Sequence, residues 1–491
     1  MKLKVNVLDV KTGGPLIVVI PKKEAIKQDL HPLNRVKLKY KNKEVIVVVD
    51  IIENSVKPNH MIIYKEVADL LGVKKNNLVE LIYEPAPSSV EYILEKLKGE
   101  KLNCEKINTI IKDLLSNRLS EVELTYFIAA CYPDKLSNDE IYCLTKAIVE
   151  NGKKLNLGKK MVLDKHCIGG IPGNRTTMVV VPIIASLGYT IPKTSSRAIS
   201  SPSGTADTME ALAKVEFTAD EITKIIKKTN SCIAWGGAMN LAAADDKLIR
   251  LRHPLSLDPE GMLVASIMAK KLAVGSTHVL IDVPIGLKAK IQNLKQGKSL
   301  KKKFLMIAKK FNIKMRVVFT NGINPIGYGV GPVLEAKDVL ETLRGEGPKD
   351  LREKSIELAT KLLELVGHRN PKESVEYVLN SGLAYKKMCE IINAQDGKIT
   401  DPNKLKVGEY KKEFYAERTG KINSFNMKTI KTIARIAGAP VDKGAGILLN
   451  VIINQEVVRG DKIFTIYSES QDKLKQAIWT LKYMKKLVEV K

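Results

Sequence analysis

The chain has 491 residues, 44% of them hydrophobic and 27% charged, a globular composition long enough for two to four domains of about 100–200 residues. It holds no apolar run of the ~18–20 residues that a membrane helix needs, and its opening Met-Lys-Leu-Lys-Val-Asn-Val alternates like a strand, without a signal peptide's apolar block; a cytoplasmic protein with no membrane partner is expected. The net charge of +26 implies polyanionic partners or a high-salt cytoplasm, yet the basic residues are spread along the chain and no helix-turn-helix, zinc-finger or aromatic-basic RNA signature appears, so no nucleic-acid partner is expected.

In chain order, residues 1–84 read as a small β-rich domain. Residues 2–10, 16–20, 35–40 and 44–52 are predicted strands, with one short helix near 64–71. Glu84-Pro85-Ala86-Pro87-Ser88 is a linker, because two prolines break both helix and ladder. A helical domain over 88–158 follows, completed by about 240–275. Ser88-x-x-Glu91, Ser120-x-x-Glu123 and Ser137-x-x-Glu140 each have the spacing of a capping box. Residues 160–235 and 277–412 read as an α/β domain around a central mixed sheet, with strands at 161–164, 278–283 and 315–319 and a buried helix at 176–187. Residues 413–491 read as a C-terminal α+β unit, with a helix at 427–438 and strands at 446–457 and 462–468. The six cysteines are scattered without a CxxC pair, so neither a disulfide framework nor a zinc site is expected, only buried or idle thiols.

Two loops carry chemistry. In Asp164-Lys165-His166-Cys167-Ile168-Gly169-Gly170-Ile171-Pro172-Gly173-Asn174-Arg175-Thr176-Thr177, three glycines let the backbone bend round an anion, a helix N-terminus supplies partial positive charge, Lys165 a full charge, and the threonines hydroxyls. A tight turn with no ligand is the alternative. Between residues 195 and 205, six hydroxyl side chains, Arg197 and Gly204 crowd eleven positions between apolar segments, the setting of a ligand-holding loop rather than a flexible linker.

Asp164-Lys165-His166 with Gly169-Gly170, then Ser195-Ser196-Arg197-Ala198-Ile199, then Gly204-Thr205-x-Asp207-x-Met209-Glu210 resemble the thymidine/pyrimidine nucleoside phosphorylase family, over roughly residues 88–485. Within it, three features resemble members that act on nucleoside 5′-monophosphates: the extra N-terminal domain, Ser200-Ser201-Pro202-Ser203 where thymidine enzymes carry Gly-His-Thr-Gly, and Lys288 and Lys290 after the strand at 278–283. Cys167 stands where many relatives have Ser.

The resemblance implies phosphorolysis of AMP, and of CMP and UMP, to the free base and ribose 1,5-bisphosphate in nucleotide salvage. It implies a homodimer or larger homo-oligomer, and an active-site cleft between the helical and α/β domains. Phosphate is a co-substrate; no cofactor and no metal are expected. Asp258 is the implied proton donor to the leaving base; its reading from residues alone is the cap of a helix beginning near Pro259. Gly170, Ser196, Arg197, Ala198, Ile199, Ser200, Ser201, Thr205, Ser266 and Lys290 are the implied substrate-binding residues, while Lys165, Thr176 and Ser195 are candidates for phosphate. Arg252 and Lys270 match base-gripping positions of the pyrimidine enzymes. A pyrimidine nucleoside phosphorylase and, outside the enzymes, a basic nucleic-acid-binding protein are the alternatives.

Overall fold

The computed structural model describes residues 1–491 apart from Ser55, Ile199, Ser200, Ser256 and the side chain of His253. The chain forms two compact units, Met1–Asn151 with Ala243–Ala265, and Gly152–Ala242 with Ser266–Lys491.

The first unit begins with a closed barrel whose strands run in the order Lys2–Leu8, His60–Tyr64, Ile17–Pro21, Lys43–Ile52, Arg35–Tyr40, Leu78–Tyr83. Alternation drives it: Leu3 and Val5 are buried while Lys2 and Lys4 face solvent. Closure leaves no unpaired sheet edge. Two of the six strands were not expected from sequence, His60–Tyr64 and Leu78–Tyr83. His60–Tyr64 runs directly into the helix Lys65–Leu71, and Leu78–Tyr83 directly into the proline linker.

Helices Ser89–Leu97, Cys104–Leu115, Glu121–Ala130, Asn138–Glu150 and Ala243–Arg252 build the rest of this unit. Ser120 and Ser137 form capping boxes: the Ser120 amide donates to Glu123 at 2.7 Å and the Ser137 amide to Glu140 at 2.8 Å. Ser88 does not, because its own backbone is already helical (φ −57°, ψ −24°) and its hydroxyl makes no capping bond. Cys104 and Cys143, expected to be idle thiols, are joined in a disulfide between two neighbouring helices, their Cα atoms 4.7 Å apart.

The helix Glu260–Ala273 carries the chain from the first unit into the second. There Lys314–Asn321, His278–Ile285 and Leu163–Cys167 pair in parallel, in that order, and Ile191–Ser195 pairs in parallel with Ser231–Trp235. The expected central mixed sheet is thus parallel in these segments. Antiparallel ladders belong to residues 329–490: Gly329–Val330, Gly446–Leu449, Lys462–Ser468 and Tyr410–Tyr415 form one sheet, and Glu456–Val457, Gly420–Phe425 and Val488–Val490 another. The helix Thr176–Ser186 is apolar on every side, and Met178, Val179, Val180, Val181, Ile183 and Ile184 are all fully buried. A helix without a polar face must lie inside the core, and this one packs on the helices Lys349–Leu365 and Leu383–Ala394. That core fixes the start of the helix, where the first loop ends.

Candidate active site

The strand Leu163–Cys167 extends three residues further than the sequence suggested, so Lys165, His166 and Cys167 are strand residues rather than loop. The pairing of Lys165 with Leu280 and Cys167 with Asp282 holds them there. The Lys165 ammonium is fully buried and donates to the hydroxyls of Thr176 at 2.7 Å and Thr177 at 3.2 Å. Asp282 lies 3.6 Å from it and is itself held by Thr320 at 2.6 Å and approached by Lys354 at 3.5 Å. Alongside, Asp164 pairs with Lys271 at 2.5 Å and faces Lys193 at 3.8 Å.

Burial pushes the Lys193 ammonium down to about 7 and lowers Lys165 too, against the pull of Asp282. Burial, then the charges of Lys193 and Lys271, hold His166 well below its ordinary value, so its imidazole is neutral at pH 7. Three buried lysines against two carboxylates make the base of this loop locally cationic.

Above that base the loop bends through Gly169, Gly170 and Gly173, all at positive φ. Gly173 is pressed on the backbone of residues 326–329, and the Ile326 amide donates to the Pro172 carbonyl at 3.1 Å. Cys167 accepts from the Gly169 amide at 3.4 Å and from Asn174 Nδ2 at 3.3 Å, so its sulfur is spent on shaping the loop.

Arg175 joins the two loops. It is buried, donates from Nη1 to Thr205 Oγ1 at 3.2 Å and from Nη2 to the Ser203 carbonyl at 3.1 Å, and its Nε lies against Glu335. Glu335 also accepts from Thr208 at 3.3 Å and the Gly331 amide at 3.2 Å. Since Thr205 Oγ1 accepts from the guanidinium, its own proton is left to donate, the arrangement that suits an anion. Neither Arg175 nor Glu335 was singled out from sequence: Arg175 lies in the Gly-rich loop but its partner Glu335 is 160 positions away and in no motif.

The hydroxyl-rich loop is folded on itself. Gly204 has room only for hydrogen, since a Cβ would stand 2.8 Å from the Ala198 nitrogen, and Asp207 accepts from the amides of Ala198 at 2.6 Å and Gly204 at 2.9 Å. Arg197 is paired with Glu210 through both terminal nitrogens, at 2.7 and 2.6 Å, and with Glu216 at 2.8 Å, and its guanidinium lies 4.8 Å from the centroid of the Trp235 ring. Arg197 holds Glu210 down at about 2. The guanidinium thus braces the loop in this arrangement. Ser195 donates to the Ser196 carbonyl at 3.2 Å, Ser196 is exposed, and Ser201 donates to the Ser203 carbonyl at 2.8 Å. Ile199 and Ser200 lie outside the described residues.

The loop Gly170 also meets the segment after the strand His278–Ile285, for a Cβ on Gly170 would stand 3.2 Å from the Lys290 nitrogen. Lys290 itself is exposed. Ser266 is buried and accepts from Lys270 at 3.1 Å. A lysine that no motif contained, Lys431, donates to the Gly170 carbonyl at 3.1 Å. Structure thus brings together Lys165 with Thr176, and Thr205 with Arg175, and places Gly170 beside Lys290 and Lys431.

Asp258 belongs to the first unit. Its side chain is 41% exposed and its carboxylate lies 4.0 Å from the buried Arg252 guanidinium, which also faces Asp245 at 3.8 Å. It immediately precedes Pro259, whose carbonyl accepts from Leu263 in the first turn of Glu260–Ala273. Among the described residues, no three His, Cys, Asp or Glu are grouped to hold a metal ion.

Comparison with known proteins gives a consistent picture. The model for the glycosyl transferase family helical bundle domain matches residues 90–152, that for the glycosyl transferase family a/b domain matches 159–381, and that for the pyrimidine nucleoside phosphorylase C-terminal domain matches 421–487. The AMP phosphorylase of Thermofilum pendens is 42% identical over 475 residues, 96% of this chain and 92% of that protein. The AMP phosphorylase of Pyrococcus furiosus is 42% identical over 484 residues, 97% and 96% of the two chains. Among solved structures, anthranilate phosphoribosyltransferase from Thermus thermophilus matches 63% of this chain and all of its own length, with a TM-score of 0.54 at 17% identity, a likeness of fold.

Proposed function

This chain belongs to the AMP phosphorylase family, and on that premise we propose that it cleaves AMP with inorganic phosphate, releasing adenine and ribose 1,5-bisphosphate, with CMP and UMP as further substrates. A phosphate oxygen forms a bond to the anomeric carbon as the C–N bond breaks, its electron pair leaves with the base, and a proton joins the base. The transition state is oxocarbenium-like. Phosphate needs no general base, only placement, and placement is worth several kcal/mol.

The observation that carries the reading is the junction made by Arg175. It ties the Gly-rich loop to Thr205 and Ser203 of the hydroxyl-rich loop, so that Lys165, Thr176, Ser195 and Thr205 serve phosphoryl groups in one region of the second unit. Gly170, Ser266, Lys290 and residues 196–201 serve the nucleotide. Asp258 donates the proton to the leaving base. The chemistry needs no cofactor and no metal, and the family reading includes a homo-oligomer.

The test is phosphate-dependent base release from AMP, CMP and UMP beside adenosine, thymidine and uridine. Higher kcat/KM on the monophosphates is expected; preference for thymidine or uridine would make the protein a pyrimidine nucleoside phosphorylase instead. Asp258→Asn is expected to bind AMP and lose most turnover, whereas near-normal turnover leaves Asp258 a helix cap.

A further inference from the structure

Lys431 lies on the helix Met427–Ile436, whose buried face (Met427, Ile430, Ile433, Ala434) packs into the C-terminal core. Its half-buried side chain spans 261 positions of sequence to reach the Gly170 carbonyl at 3.1 Å. A carbonyl takes one of the three protons of an ammonium and does not neutralise it. Among the described residues no carboxylate pairs with Lys431. Its pKa is pushed down by burial first and then by the charge of Lys290, so two lysines repel each other beside one loop glycine. Lys290 reaches the same glycine, its backbone nitrogen 3.2 Å and its Cγ 3.3 Å from where a Gly170 Cβ would stand. Like charges gathered at this turn, with φ of +99° at Gly170, are relieved by a bound dianion.

The molecule has a second cationic cluster at the base of the Gly-rich loop, and the two differ. Lys165 is fully buried and locked by two threonines and Asp282, a rigid mount of the kind a reacting phosphate needs. Lys290 is exposed and Lys431 half-buried; a lysine is a compact charge on a long stem, sufficient for a phosphate that is only recognised. We propose that Lys431, with Lys290 and the Gly170 turn, forms the subsite for the 5′-phosphate of the nucleotide, so that Lys431 is a determinant of nucleotide over nucleoside, separate from the Lys165–Thr176 pocket that mounts the attacking phosphate. The assignment rests on the phosphorolysis reading above.

The experiment uses the full-length protein and the variants Lys431→Met and Lys431→Arg, with thermal melts confirming that each is folded. For Lys431→Met the KM for AMP is expected to rise at least tenfold, the KM for inorganic phosphate to move less than twofold, and the ratio of kcat/KM for AMP to that for adenosine to fall at least tenfold; Lys431→Arg restores most of that ratio. If wild type cleaves AMP and Lys431→Met matches its KM, the assignment falls alone. If AMP, phosphate and adenosine suffer equally, Lys431 is a staple for the Gly170 turn and the assignment also falls. If wild type releases no base from AMP, the functional reading itself falls, and this assignment with it.

Discussion

Substituting Gly173 by Ala tests whether the Gly-rich loop is set by its contact with residues 326–329. Gly173 has φ of +69°, and a Cβ there would stand 2.1 Å from the Ile326 carbonyl oxygen and 3.0 Å from that of Gly329. Ordinary contact distances are about 3.5 Å, so one of the two backbones must retreat by more than ~1 Å. The left-handed conformation adds roughly 1–2 kcal/mol for a residue with a Cβ. A shift of that size in a phosphate mount can cost about 100-fold in rate, close to 2.7 kcal/mol of barrier. Gly188→Ala is the control: its φ is +85°, but nothing lies within 4 Å of its Cβ position, so it carries the conformational cost alone. Steady-state kinetics at varied phosphate, with calorimetric melting, separate the two. Gly173→Ala is expected to lose about 100-fold in kcat/KM for phosphate, while Gly188→Ala loses about 1 kcal/mol of stability and keeps its kinetics. Equal kinetics in the two variants would refute the proposed dependence of the loop on its neighbour.

Asp338 offers a pH test. Burial lifts its carboxyl from 3.8 to about 7, while its Oδ2 accepts from the amides of Tyr328 at 2.8 Å and Gly329 at 2.7 Å. The folded value lies above the unfolded one, so the folded chain holds an extra proton between them. That contribution is complete below about pH 4 and is lost as pH rises through about 7, on the order of 4 kcal/mol. Asp338→Asn keeps an acceptor and removes the titration, so its guanidinium midpoint should vary less than that of wild type between pH 5 and pH 8; parallel curves would refute this. The disulfide closes 39 residues of chain, worth about 4 kcal/mol in the loop-entropy view. Cys104→Ser is therefore expected to lower the denaturant midpoint, and alkylation of unfolded, unreduced protein should count Cys131, Cys167, Cys232 and Cys389 only; six alkylated thiols would contradict the bridge.

The two loops were readable in sequence because their features are local. Three glycines in five positions and six hydroxyls in eleven are features of composition, and both loops were found through them. Alternation likewise exposed Lys2–Leu8 and Arg35–Tyr40. What escaped depends on partners far along the chain. Lys165 reads as loop because Asp-Lys-His-Cys is polar, yet its strand is held by pairing with residues 278–282, and its neighbour Asp164 is matched by Lys271, 107 positions away. Arg175 needs Glu335, and Lys431 needs Gly170. A sequence shows each of these as one more charge in a chain with 80 basic residues. The disulfide escaped for the same reason, since helix packing rather than spacing brings Cys104 to Cys143.

The most direct measurement is the ³¹P NMR spectrum of the sugar product formed from AMP and inorganic phosphate. Nucleotide phosphorolysis yields one ribose carrying two phosphomonoester signals, with one phosphate consumed for each adenine released and no release when phosphate is omitted. Adenine release without phosphate, with ribose 5-phosphate as the product, would contradict the account.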